Sequence, residues 1–137
     1  MTKIENIKNI NEFEDKSLLI VDDDNPFRER LARAMEKKGF KVSQAEGVKK
    51  GINCVKSENP AFAVVDLRLG DGNGLEVVKE IQNSNSKSRV VMLTGYGNIP
   101  TAVAAIKQGA IDYLAKPADA DDVERALLVD PNQKAAP

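Results

Sequence analysis

Five short runs of apolar residues alternate along the chain with five segments of helical periodicity. The apolar runs begin near residues 17, 40, 61, 89 and 110, and the helical segments span roughly residues 25–38, 48–57, 74–83, 101–108 and 121–128. Asn25-Pro26 predicts an N-cap followed by the first turn of the first helix. The third run, AFAVVD, is apolar up to its last residue, as in a strand covered on both faces. This alternation predicts an α/β fold with a parallel sheet.

Polar side chains stand at the carboxyl ends of four of the five predicted strands. They are Asp22 and Asp23 after the first strand, Asp66 at the end of the third, Thr94 at the end of the fourth and Lys116 after the fifth. In parallel α/β sheets the ligand site lies outside these strand ends. Each residue alone has an ordinary role, such as helix capping or a solvated turn lysine. Their recurrence at one predicted edge indicates a functional site.

The acidic residues of this edge indicate a metal site. Three consecutive acids, Asp22 to Asp24, exceed what a helix cap needs, and Asp66 is expected to converge on them. Unit charges about 4 Å apart at an effective dielectric of about 20 repel by about 4 kcal/mol. A divalent cation relieves this repulsion, and an all-oxygen site with water positions suits Mg²⁺. We expect Asp66 to be a metal ligand and nucleophile, with Lys116 and Thr94 holding a transferring phosphoryl group.

The composition excludes several other kinds of site. The 137 residues are the size of one domain, and 20 basic against 21 acidic residues leave no basic footprint for nucleic acid. A single cysteine, Cys54, and the absence of histidine exclude an internal disulfide, His-ligated zinc and His-dependent nucleophiles. GYGNIP lacks the third glycine of a dinucleotide loop, so no organic cofactor is expected. The polar N-terminus and the lack of an 18-residue apolar run favour a cytoplasmic protein that does not span a membrane.

Four motifs, IVDDD, VVDLRLGDGNG, LTGYG and DYLAKP, resemble in order and spacing those of two-component response-regulator receiver domains. The match covers residues 17–128. The runs RLARAMEKKGF and TGYGNIPTAVAAIKQGA further resemble the RegA/PrrA/ActR group of redox and photosynthesis regulators. The resemblance implies a flavodoxin-like (βα)5 fold, with a five-stranded parallel sheet in the order 2-1-3-4-5 and helices on both faces.

The resemblance also implies which residues bind phosphate and metal. Asp66 is the implied phosphoacceptor. Asp23, Asp66 and the backbone carbonyl of Arg68 are the implied Mg²⁺ ligands, and Asp22 is implied to help through a water molecule. The acidic loop after the first strand and the glycine-rich loop after the third are therefore expected to form one site.

The implied switch residues lie in the last third of the chain. Thr94 is the implied switch hydroxyl, Tyr113 the switch aromatic and Lys116 the phosphate-contacting lysine. Strand alternation from Lys116 predicts that the Tyr113 ring points away from the metal site, toward the surface beside the fourth helix. Lys116-Pro117 is a candidate cis peptide, since cis bonds occur at X-Pro and the lysine must point inward.

The implied function is phosphoryl transfer from a sensor histidine kinase to Asp66, followed by a conformational switch that controls an output, without enzymatic turnover of a substrate. Residues 1–16 are predicted to form a loosely ordered or weakly helical leader, 17–128 the receiver and 129–137 the start of a linker. In the RegA/PrrA/ActR group a Fis-type helix-turn-helix follows the linker; that output domain is absent here, so DNA binding is not assigned to these residues. Phosphorylation is expected to favour a homodimer through the face of helix 4, strand 5 and helix 5.

One alternative function stays open on the residues alone. A haloacid-dehalogenase-type phosphatase also uses an Asp nucleophile, in a D-x-D motif after its first strand. Asp22-x-Asp24 fits that motif, but Pro26 occupies a position where a hydrophobic residue or Thr is expected. The two functions differ in where phosphate attaches, on Asp66 or on a first-strand Asp.

Overall fold

The computed structural model describes residues 9–95, 99–107 and 109–129, in which a sheet lies between two helical layers. Five strands form the sheet: β1 (Ser17–Val21), β2 (Lys41–Ala45), β3 (Phe62–Asp66), β4 (Arg89–Thr94) and β5 (Asp112–Ala115). The five α-helices are α1 (Asn25–Lys37), α2 (Val48–Glu58), α3 (Gly74–Ser84), α4 (Ile99–Lys107) and α5 (Ala120–Leu128). Every pairing in this sheet is parallel, in the order β2-β1-β3-β4-β5. The predicted doubly wound topology is confirmed.

Most element boundaries lie within two residues of the predicted ones, and one cap was placed wrongly. Asp24, rather than the predicted Asn25, is the N-cap of α1, and its Oδ1 accepts the N–H of Phe27 at 3.1 Å. Asn25 and Pro26 therefore form the first turn, where a proline lacks only an N–H that has no helical partner. The peptide bond before Pro117 is cis, as predicted.

The sheet separates two apolar clusters because successive strand residues point to opposite faces. Leu18 and Ile20 of β1 pack with α1 and α5, whereas Leu19 and Val21 pack with α2 and α3. Every residue of β3 is buried, as the continuous apolar run predicted. The strand ends of β1 and β3 are therefore buried between helices of both layers.

The segment before β1 packs against the amino end of the sheet. It forms one 3₁₀ turn, Ile10–Glu12, and Ile10 is only 5% exposed. The Phe13 ring meets the Phe62 ring edge to face, with centroids 5.1 Å apart. The predicted leader is thus packed on the core from Ile10 onward, and its first eight residues lie outside the described residues.

Arg89, at the start of β4, connects this segment to the end of α5. The Arg89 guanidinium carbon lies 5.1 Å from the centroid of the Phe13 ring. Its Nη1 donates to the carbonyl oxygens of Leu127 at 3.2 Å and Val129 at 2.7 Å. Carbonyls at a helix C-terminus lack intrahelical donors, so the arginine satisfies two of them. One side chain thereby holds the points where the chain enters the sheet and leaves α5.

We predict that Ile10→Ala lowers the free energy of unfolding by about 2–3 kcal/mol, because it leaves a cavity in the core. Urea unfolding followed by far-UV circular dichroism measures this change. Asn11→Ala, at an exposed position of the same turn, serves as the control and should change stability by less than about 0.5 kcal/mol. Equal unfolding midpoints for Ile10→Ala and wild type would contradict the docking of this segment.

Candidate functional site

The ends of β1 and β3 present two carboxylates on the same side of the sheet. Asp22 comes two residues after Ile20, and Asp66 comes two residues after Val64, so each acid shares a face of the sheet with that residue. Ile20 and Val64 belong to the apolar cluster that packs with α1 and α5. Asp22 is fully buried and Asp66 is 5% exposed. Two carboxylates removed from water in this way require a positive partner.

Lys116, in the turn after β5, supplies that partner. Its Nζ lies 2.9 Å from Asp22 Oδ2 and 3.3 Å from Asp66 Oδ2. The same Nζ is 4.9 Å from the centroid of the Phe27 ring, a cation–π contact with α1. The Lys116 backbone N–H donates to the Thr94 carbonyl at 2.8 Å, which fixes the lysine beside the end of β4. A single ammonium group thus bridges the two buried acids.

Asp23 completes an acidic cluster that is open to water on one side. Carboxylate oxygens of Asp22, Asp23 and Asp66 all lie within 4.8 Å of one another, and Asp23 is exposed. At that separation and an effective dielectric of about 20, each pair of ionised groups repels by about 3–4 kcal/mol. The three carboxylates supply oxygen ligands, which Mg²⁺ prefers, and the solvent-facing one leaves room for water molecules bound to the ion. The residues present therefore fit a magnesium ion.

The electrostatics of the cluster appear in the acid–base behaviour of Asp66. Burial, together with the negative charge of Asp22, raises the pKa of Asp66 from 3.8 to about 6, although Lys116 and the Arg68 N–H act in the opposite direction. Burial alone would lower the pKa of Lys116, but its bonds to Asp22 and Asp66 outweigh burial and raise that pKa. Lys116 therefore stays charged, and one lysine does not fully compensate the two acids.

Arg28, which we did not identify from the sequence, holds the loop that carries Asp22 and Asp23. It is 8% exposed and donates from Nη1 to the Asp22 carbonyl at 2.8 Å and to Asn25 Oδ1 at 2.6 Å. Its Nε donates to Gln44 Oε1 at 2.9 Å. A sequence signal was available: Arg28 shares the helical stripe of the buried residues Leu31, Ala32 and Met35. A charged residue on a buried stripe needs polar partners, which indicates a structural or site role.

The loop after β3 approaches Asp66 so closely that one position must be glycine. A Cβ on Gly74 would collide with the Asp66 carbonyl oxygen. The Gly74 N–H donates to the Leu67 carbonyl at 2.8 Å, and the Arg68 N–H is near enough to the Asp66 carboxylate to lower its pKa. Arg68 and Leu69 pair antiparallel with Gly72 and Asn73, a short ladder that we did not predict. The loop thus brings the Arg68 backbone to the acidic cluster.

The two predicted switch residues are in phase with the face of the sheet opposite to that of Asp22 and Asp66. Thr94 is buried at the end of β4 and is in phase with Met92, on the side of the sheet that α2 and α3 cover. Tyr113 is half-buried against that same cluster and pairs with Met92 across the strands. Residues 96–98, which include part of the LTGYG motif, lie outside the described residues.

Comparison with known proteins identifies the family to which this arrangement belongs. Residues 18–128 match the family model described as the response regulator receiver domain. The chain belongs to this family. Its members are signalling regulators of two-component systems rather than turnover enzymes. The receiver match spans the acidic cluster, the loop after β3 and Lys116.

The receiver also resembles individual regulators. It is 58% identical over 123 residues to the acid tolerance regulatory protein ActR of Sinorhizobium medicae, covering 90% of this chain and 63% of that protein. It is 60% identical over 114 residues to the photosynthetic apparatus regulatory protein RegA of Rhodobacter capsulatus, covering 83% and 62%. The resemblance to the RegA/PrrA/ActR group is therefore confirmed. The chain spans less than two thirds of the length of these relatives.

A solved structure supports the fold of the receiver. A response regulator protein from Burkholderia pseudomallei, crystallised with a phosphorylated aspartic acid, a calcium ion and citrate, superposes with a TM-score of 0.81. It is 37% identical in sequence, and the match covers 88% of this chain and 71% of that one. Among the helices of the described ranges, none has the length and apolar character needed to cross a membrane.

The haloacid-dehalogenase alternative is not supported. The family match is to receivers. The Asp24 carboxylate, the second acid of the D-x-D pattern, serves as the N-cap of α1 and accepts a hydrogen bond from Phe27. The pattern Asp22-x-Asp24 therefore has a structural explanation in this receiver.

We predict that Asp66→Asn stabilises the metal-free receiver at pH 7 by about 1–2 kcal/mol. The pKa elevation to about 6 corresponds to at most about 3 kcal/mol, and the open side of the cluster screens part of it. The folded state holds the Asp66 proton more tightly than the unfolded chain, so the destabilising contribution of Asp66 is lost as the pH falls from about 6 to about 4. The advantage of the variant should therefore be present above pH 6 and vanish near pH 4.

Urea unfolding in the presence of a chelator, repeated across this pH range, measures the difference. Asp23→Asn is the matched control, because Asp23 faces solvent and should give a smaller gain at pH 7. A constant difference between Asp66→Asn and wild type from pH 4 to pH 7 would show that Asp66 is not the group that titrates.

Proposed function

We propose that this receiver accepts a phosphoryl group on Asp66 from the phosphohistidine of a sensor histidine kinase, in a reaction that requires Mg²⁺. The observation that carries the proposal is the position of Lys116 Nζ, which contacts both Asp22 and Asp66 at the carboxyl edge of the sheet. A nucleophilic carboxylate, a fixed cation and a cluster of oxygen donors are the groups that phosphoryl transfer uses. These 137 residues contain no histidine, so the phosphohistidine would come from outside them.

The chain's own residues have distinct roles in this step. An Asp66 carboxylate oxygen attacks phosphorus, an O–P bond forms, and the P–N bond of the donor breaks. The imidazole leaves with the electron pair and is protonated by solvent. Lys116, whose pKa is raised, remains an ammonium group and neutralises charge on the phosphoryl oxygens. Asp66 must be ionised to react, and at neutral pH its pKa of about 6 allows this.

Mg²⁺ would be held by Asp23, Asp66 and the backbone carbonyl of Arg68, with Asp22 acting through water. Asp23 is the exposed member of the cluster and can keep bound water in place. When bound, the ion offsets the combined negative charge of the carboxylates and the phosphoryl oxygens. These assignments follow the family resemblance and the oxygen donor set described above.

The proposed output is a conformational switch that the new phosphate drives. Thr94 would supply a hydroxyl to the phosphate, and Tyr113, on the same side of the sheet, would move with it. The output would be transcription, through a DNA-binding domain beyond the linker that begins at residue 129. The ActR and RegA relatives, which are named as regulatory proteins, support this proposal. A cytoplasmic location is part of it.

We predict that acetyl phosphate with Mg²⁺ adds one phosphoryl group to wild type and that Asp66→Asn abolishes the addition. Intact-protein mass spectrometry measures it, and chelation of Mg²⁺ should also prevent it. Asp24→Asn is the matched control, because Asn caps a helix as well as Asp and one carboxylate is still removed from the same region. Labelling should persist in that control. Phosphate on a first-strand aspartate, or undiminished labelling of Asp66→Asn, would contradict the assignment.

The face proposed for a phosphorylation-linked homodimer carries exposed apolar side chains. Val103 is 44% exposed and Ile106 is 39% exposed, and they lie three residues apart on α4. They are the large apolar side chains exposed among the described residues. Apolar residues one turn apart form a small patch that a second copy can cover, together with β5 and α5.

We predict that beryllofluoride, which mimics the phosphorylated state, strengthens dimerisation by at least about fivefold. Sedimentation at several protein concentrations measures both association constants. Ile106→Lys should remove the increase because it places a charge in each half of the interface. Asn53→Lys, at an exposed position of α2, is the control and should leave the increase intact. Equal association constants with and without beryllofluoride would contradict this prediction.

A further inference from the structure

The first turn of α2 has no capping side chain in its own sequence. Its N-cap is Gly47, which carries no side chain and makes no capping hydrogen bond. Helix N-termini leave backbone N–H groups without intrahelical partners, and such groups need an acceptor. Ser, Thr, Asp or Asn at the N-cap would ordinarily provide it.

Asp71, in the loop after β3, supplies the missing acceptor from 23 residues away. Its Oδ1 accepts the Val48 N–H at 2.8 Å and its Oδ2 accepts the Lys49 N–H at 3.1 Å. These two backbone bonds hold the pKa of Asp71 below its ordinary value. Both carboxylate oxygens are therefore committed to α2, and the carboxylate acts as a two-point connection between loop and helix.

Gly47 provides the space for this connection. A Cβ on Gly47 would lie 2.7 Å from Asp71 Oδ1 and 3.1 Å from Oδ2. The Gly47 backbone is extended, a conformation open to any residue, so close contact rather than strain accounts for the glycine. Gly47 and Asp71 thus form a matched pair, in which the absence of a side chain at one position admits the carboxylate of the other.

The loop carries this connection to the proposed phosphorylation site. Asp71 lies in the turn between the paired segments Arg68–Leu69 and Gly72–Asn73. At the other end of this ladder, the Arg68 N–H is near enough to the Asp66 carboxylate to lower its pKa. A Cβ added to Gly70 would lie 3.5 Å from Asp23 Oδ2, and Gly70, Asp71 and Asp23 line the same cavity, so the turn lies beside the solvent-facing acid of the cluster. A shift of the turn must therefore move groups that surround the proposed metal.

We infer that Asp71 is a positioning residue for the Mg²⁺ and phosphate site. By joining the loop after β3 to the first turn of α2, it fixes the Arg68 backbone relative to Asp23 and Asp66. The inference rests on the proposed function, since it names the residue that holds part of that site in place. It also makes the start of α2 responsive to whatever binds at Asp66.

The test separates helix capping from loop positioning. Asp71→Ala removes both, whereas Gly47→Ser combined with Asp71→Ala gives α2 a cap of its own without rejoining the loop. Removing Asp71 also removes the obstacle to a side chain at position 47. Mg²⁺ binding is measured by titration calorimetry on folded protein, and stability is measured by urea unfolding in chelator.

We expect Asp71→Ala to weaken Mg²⁺ binding about tenfold, as the loss of a group that orients metal ligands does. The double variant should regain the unfolding midpoint but retain the weakened binding. Glu46→Gln is the charge-matched control: Glu46 lines the same 380 Å³ cavity as Asp71 and Asp23, and it contacts Lys50 rather than the loop. It should change Mg²⁺ binding by less than about twofold.

The measured affinities decide the inference whether or not the double variant regains stability. Wild-type Mg²⁺ affinity in either Asp71 variant would overturn it, and so would an equal loss in Glu46→Gln. If wild type itself neither binds Mg²⁺ nor accepts phosphate on Asp66, the proposed function fails instead. Amide hydrogen exchange then tests the connection independently: it should quicken across residues 68–73 in both Asp71 variants, and loop protection restored by the local cap would overturn the inference.

Discussion

The structure depends on the confinement of like charges at the carboxyl edge of the sheet. Asp22 and Asp66 are held there by strands buried on both sides, and Lys116 contacts both without fully compensating them. The strand ends cannot move apart without unpacking the two apolar clusters that enclose them. The fold therefore maintains the repulsion, which a bound cation would relieve.

The loops around the cluster keep it assembled while its charges repel. Arg28 donates to the Asp22 carbonyl from within a buried stripe of α1, so a guanidinium rather than water satisfies that backbone group. Gly74 lets the backbone pass directly against Asp66, which a side chain would prevent. Rigidity at this edge comes from backbone contacts as much as from the ion pairs, and this keeps the carboxylates in place when their charge state changes.

The sequence predicted the strands, the helices and the edge at which polar residues gather, because apolar periodicity and strand ends are local patterns, whereas the strand order followed from the family resemblance. The N-cap of α1 was predicted at Asn25, one residue after the observed cap, Asp24. Adjacent Asp and Asn are both good N-caps, and only the path of the backbone decides which of them caps the helix. Asp71 contacts Val48 and Lys49 of α2, which precede it in the chain by 23 and 22 positions, and no local pattern encodes so long a separation. Arg28, by contrast, lay on a readable stripe and could have been found.

The contacts that Arg89 makes with Phe13 and with the end of α5 have a consequence for how this fold can be combined with other proteins. Because one guanidinium contacts both Phe13 and the Val129 carbonyl, residues 13 and 129 lie close together at the amino edge of the sheet, away from the acids. Domains whose ends lie side by side can be inserted into a loop of a host protein without stretching either partner. The segment from residue 13 to residue 129 is therefore suited to insertion into a host loop, with its acidic edge at the end of the sheet away from the two junctions.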